Sequence, residues 1–160
     1  RLRDNLDDLY VMSQPPRDLD LVDEVFMDNP LVPIVARGHP LAKRRGLALR
    51  DLADERFILR ERGSGTRMAV DEHFRRHRFR PQVRLELGSN EAIKDAVAGR
   101  LGVSVLSRHA LHGHASEHGV VVLDVAGFPI ASRWHVVHPK GKRLSPIAAV
   151  FREQLLKKAS

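Results

Sequence analysis

Apolar positions along this chain follow two rhythms, and the changes between them mark out its elements. Val83-Arg84-Leu85-Glu86-Leu87 alternates apolar and charged residues, the period of a strand with one covered face. Val70 and Phe74 lie four apart within 66–79, the spacing of one helix face. Ile93, Ala96, Val97 and Leu101 repeat that spacing in a second helix that opens at Ser89 or Asn90, with Gly102 placed to end it. Apolar runs at Leu9–Ser13 and Arg56–Leu59 predict short buried strands, and those at Leu21–Met27, Leu31–Ala36, Val103–Leu106, Val120–Val125 and Trp134–Val137 predict further strands. Asp28-Asn29-Pro30 is a turn, and Pro33 predicts that the run around it is an edge or crossover strand. Leu49–Ala53 makes one helical turn, and Pro81 stops the first helix. Ser145-Pro146 caps a terminal helix whose Ile147, Val150, Phe151 and Leu155 form one face. Strands alternating with helices after residue 50 predict an α/β fold with a largely parallel sheet.

That alternation places two polar loops at one edge. Gly63-Ser64-Gly65-Thr66-Arg67 and Gly88-Ser89-Asn90 both lead from a strand into a helix, and ligands of such sheets gather at the carboxyl ends of the strands. The glycines open the backbone to close approach, free N–H groups at a helix start attract anions, and Arg67 adds a planar fork of donors. Ser64, Gly65, Thr66, Arg67, Ser89 and Asn90 are therefore the candidate anion-binding residues. A turn followed by an N-cap would account for the same letters without a ligand.

Charge supports an anionic partner. Twenty-seven Lys and Arg against twenty Asp and Glu leave +7 on 160 residues. There is no cysteine, so disulfides and thiolate metal sites are excluded, and no apolar run approaches the roughly 20 residues of a membrane span. His109, His112, His114 and His118 are close enough to suggest a metal, but only Glu117 accompanies them and the segment reads as a loop, so no metal site is expected. Arg75, Arg76, Arg78 and Arg80 read as a solvated helix end, since aromatic residues are only 5% of the chain, too few for a nucleic-acid stacking platform. Catalytic residues are not expected either: the loop lacks a Gly-x-Ser-x-Gly elbow, a P-loop Lys and a dinucleotide turn.

Gly38-His39-Pro40-Leu41-Ala42, the loop Arg60–Arg67, and Gly88–Lys94 running on to Ala98–Val103 together resemble the effector-binding domain of LysR-type transcriptional regulators. The second and third stretches resemble most the branch that controls carbon-dioxide-fixation (RuBisCO) operons. The resemblance implies a two-lobed, periplasmic-binding-protein-like effector domain with a small anionic metabolite in its cleft. Residues 1–34 and 132–160 would form part of lobe I and 35–131 lobe II, with lobe I truncated at its N-terminus. The chain opens on what reads as the tail of a helix without an initiator Met, so further residues are expected upstream, and DNA would be bound through a helix-turn-helix there. The resemblance further implies a homo-dimer or tetramer, RNA polymerase as a partner, a cytoplasmic location, and neither membrane attachment, cofactor nor enzymatic turnover. A solute-binding protein of the same fold is the alternative, and a phosphate-handling α/β enzyme a more distant one.

Overall fold

The structure, a computed structural model, describes residues 1–113 and 115–158. Backbone contacts divide the chain into two units, Arg1–Asn29 with Ser132–Ser160, and Pro30–Ala131. Strand β3 (Leu31–Ala36) thus lies whole in the second unit.

In the first unit, β1 (Tyr10–Met12) and β2 (Leu21–Asp28) flank β8 (Arg133–Pro139), both antiparallel to it. Helix α3 (Pro146–Lys157) starts as expected, with Ser145 Oγ accepting from Ala148 N and proline in the first turn. Its apolar face does not become this unit's core. Ala148 is buried and Arg152 is paired to Glu24 on β2, whereas Ile147, Val150 and Phe151 are exposed, Ile147 at 83%.

The second unit is a three-layer α/β structure. Strands β4 (Arg56–Arg60) and β5 (Gln82–Leu87) run parallel, joined by α1 (Gly65–Arg76). Helix α2 (Asn90–Ala98) carries the chain from β5 to β6 (Ser104–Ser107), entered through a parallel bridge between Phe57 and Val103. Gly102 is required there, because a Cβ on it would stand 2.3 Å from the Arg56 carbonyl oxygen. Alternation along β4 then builds two cores. Phe57 and Leu59 pack with Val70 and Phe74 of α1, while Ile58 packs with Ile93 and Val97 of α2.

Several expectations are corrected here. The sheet is mixed rather than largely parallel: β3 lies antiparallel between β6 and β7 (Val120–Val122), because no crossover helix precedes it to bring it in parallel. Nor is β3 an edge strand, despite Pro33, since all six of its residues are buried. The Pro33 carbonyl accepts from Leu123 N just past the end of β7, so the missing N–H falls where the ladder has finished. The run 120–125 is a strand only to Val122, after which Val125 bridges Leu47. Helix α1 stops at Arg76, not near 79, and neither Pro81 nor Gly102 ends a helix. Arg78 (φ 53°) and Arg100 (φ 62°) take the left-handed position after each helix. Phe79 N donates to Phe74 O and Leu101 N to Ala96 O, completing the same C-terminal motif twice. Leu101 is consequently exposed instead of belonging to the buried stripe.

Candidate functional site

Two strand-to-helix loops start side by side at the carboxyl ends of β4 and β5. Arg60 and Leu87 are register partners, and Glu61 N donates to Leu87 O at 3.1 Å. Gly63, at φ 92°, turns the first loop in a conformation that other residues rarely take. Ser64 caps α1, its Oγ accepting from Arg67 N at 2.9 Å. Gly65 and Thr66 follow in the first turn, Thr66 half-buried. In the second loop Ser89, not Asn90, is the cap, its Oγ accepting from Ala92 N at 3.1 Å. Asn90 is instead the first helical residue, and its side chain is free to reach back across the gap. At both helix starts the first backbone N–H groups have no intrahelical acceptor.

Arg67 departs from expectation. It is 7% exposed, and its donors are used inside the protein. Nε lies 2.9 Å from Asp71 Oδ1, and Nη1 donates to the Arg60 carbonyl at 2.8 Å and stands 3.2 Å from Glu86 Oε2. Helical spacing placed it in the first turn but carried no sign of Glu86, which arrives from the neighbouring strand. Arg67 thus joins loop, helix and strand; it is a cornerstone of the loop and not its open fork.

The cation that spans the two loops is Arg60, which sequence reasoning placed in the loop but not among the binding residues. Nη1 donates to Asn90 Oδ1 at 3.0 Å, and Nε and Nη2 hold the Glu61 carboxylate. The same bonds keep the Glu61 carboxyl below the usual carboxylate range. Only the thirty-residue separation of Arg60 and Asn90, closed by β-strand pairing, creates this link. Of the six candidate residues, Ser64 and Ser89 are therefore caps, Gly65 and Thr66 present first-turn backbone, Asn90 is tied to Arg60, and Arg67 is buried beneath.

The histidine segment shows no cluster able to hold a metal among the described residues, and His114 lies outside them. His118 Nε2 instead contacts the His112 carbonyl at 2.8 Å. No described helix is long and apolar enough to cross a membrane.

The family model described as the LysR substrate binding domain matches residues 1–160. The chain is 46% identical over 97% of its length to the HTH-type transcriptional activator CmpR of Synechocystis sp. and covers 51% of that protein. It is 44% identical, again over 97%, to a RuBisCO operon transcriptional regulator of Acidithiobacillus ferrooxidans, of which it covers 50%. The chain thus spans about half the length of these relatives. Among solved structures, the Synechocystis CcmR regulatory domain in complex with 2-PG matches with a TM-score of 0.92 and 48% identity, covering 100% of this chain and 77% of that one. The effector binding domain of QuiR in complex with shikimate shares the fold, with a TM-score of 0.86 at 23% identity, over 99% of this chain and 74% of that one.

Proposed function

The chain belongs to the LysR substrate-binding-domain family, and on that premise we propose that it is the effector-sensing part of a transcription regulator whose signal is a small phosphorylated or carboxylated anion. The observation that carries this reading is the 48% identity, over the whole chain, to a regulatory domain that holds 2-PG. Two strand-to-helix loops tied together by Arg60 and Asn90, each offering unpaired backbone donors, support it from the chain itself. Ser64, Gly65, Thr66, Ser89 and Asn90 would line the site on the second unit, with Arg67 holding the first loop in shape from below. The device is a shift of population and not a reaction: an effector that binds one conformation better favours it. Similarity to RuBisCO operon regulators supports control of carbon-dioxide-fixation genes. In this reading the whole regulator acts on DNA in the cytoplasm as a homo-dimer or tetramer, with RNA polymerase as a partner.

Calorimetric titration with 2-phosphoglycolate, glycolate and inorganic phosphate tests the reading. We expect saturable binding of 2-phosphoglycolate, and binding of glycolate weaker by about tenfold or more for want of the charge-assisted contacts to phosphate. The melting midpoint should rise with 2-phosphoglycolate concentration by mass action. Absence of saturable binding, or equal weak binding of all three, refutes the reading.

A further inference from the structure

Arg60 ends β4 with its side chain 19% exposed, and its guanidinium is shared between two loops. One arm, Nη1, reaches Asn90 of the second loop at 3.0 Å. The other side of the fork, Nε and Nη2, grips both carboxylate oxygens of Glu61, the next residue in the chain, at 3.0 and 2.9 Å. That carboxylate also lies 3.9 Å from where a side chain on Gly88 would begin, so it stands in the space between the loops and not on their outer flank. Glu61 is 44% exposed and, among the described residues, has no cation but Arg60 within ion-pair distance. The bidentate fork that fits a carboxylate or phosphate is thus already filled by a carboxylate of the protein itself.

We propose that Glu61 is a built-in stand-in for the effector: its carboxylate fills the Arg60 fork, and the anionic group of the effector takes that place as Glu61 swings out to solvent. The inference rests on the reading of these loops as the effector site. Asn90 keeps the third arm of the guanidinium fixed while the exchange occurs, so the fork stays aimed between the loops. The exchange is also a selectivity filter. A half-exposed pair is weak, so a phosphate ester carrying nearly two charges displaces Glu61, while a neutral sugar or alcohol offers Arg60 nothing to compensate for the carboxylate it would lose.

The experiment is a double-mutant cycle on the full chain, with 2-phosphoglycolate as the probe. Glu61→Gln should tighten binding by about 1.5- to 5-fold, the worth of an exposed ion pair that no longer competes. Arg60→Gln should weaken it by about ten- to a hundredfold, the loss of a charge-assisted contact. In the Arg60→Gln background the gain from Glu61→Gln should vanish, because the carboxylate acts by occupying that fork. A gain that persists there would mean that Glu61 merely repels anions through space, and overturns the proposal. So does a Glu61→Gln protein that binds no more tightly than the unmutated chain. Should Arg60→Gln fail to fold, Arg60→Lys, which keeps the charge and loses the fork, serves in its place with the same expected sign. If neither the unmutated chain nor Glu61→Gln binds 2-phosphoglycolate, the reading of the loops falls and the stand-in falls with it. Binding that survives Arg60→Gln unchanged but is lost in Thr66→Ala overturns the stand-in alone.

Discussion

Replacing Arg67 with alanine should destabilise the second unit, not merely silence a response. The substitution removes a guanidinium that is 7% exposed and leaves the Arg60 carbonyl without its donor at 2.8 Å. A charged donor to a backbone acceptor is worth about 1.5–3 kcal/mol. The two ion pairs contribute less, because Asp71 is 52% and Glu86 35% exposed and water can take over their carboxylates. About 0.2–1 kcal/mol each is appropriate for such pairs. Together these terms give a loss of about 2–5 kcal/mol, or a drop of about 1–2.5 M in the urea midpoint at a slope of about 2 kcal/mol per M. The only tryptophan, Trp134, belongs to the first unit, so its fluorescence would miss the event. Amide hydrogen exchange across β4 and α1, or far-ultraviolet circular dichroism, is the suitable assay. Arg67→Lys should fall between, keeping charge while losing the planar fork. A loss below about 0.5 kcal/mol, the range of an ordinary surface substitution, would show that the guanidinium is solvated and would return Arg67 to the pool of open ligands.

Two further outcomes follow from local geometry. Arg78→Gly should raise stability by about 1 kcal/mol, since Arg78 sits at φ 53° and makes no ion pair among the described residues; an unchanged urea midpoint would argue against the strain. Burial, helped by the neighbouring His77 and Arg76 charges, lowers the His73 pKa from 6.5, and its Nε2 is buried without a partner among the described residues. The unfolded chain therefore takes up the proton first, and stability should fall as pH drops below 6.5 toward the folded-state value. His73→Phe should flatten that limb of the pH–stability curve, and a curve that keeps its slope would assign it to another group.

Much of the local structure was legible because its causes are local. A serine hydroxyl satisfies the N–H three residues on, so Ser64, Ser89 and Ser145 marked helix starts. Val70 with Phe74, and Ile93 with Val97, lie on one helical face whatever the helix packs against, and they became the two cores of the second unit. Helix ends were harder to read. Glycine and proline were the expected stops, yet Arg78 and Arg100 accept left-handed backbone because Phe79 and Leu101 close the motif by bonding back to the helix.

What the chain determined by itself was therefore most of its elements, the serines that start its helices, the α/β class and two polar strand-to-helix loops at one sheet edge, consequences of local spacing and of the alternation of strand with helix. Tertiary structure decided direction and partnership. It set β3 antiparallel and central despite Pro33, because only the position where β7 ends makes the missing N–H harmless. It left Ile147, Val150 and Phe151 of α3 exposed and paired Arg152 of that helix with Glu24 on β2. At the site it exchanged the roles of two arginines. Arg67 is buried by a carboxylate from β5, and Arg60 reaches an asparagine thirty positions away, because pairing β4 with β5 joins loops whose letters alone show no sign of contact.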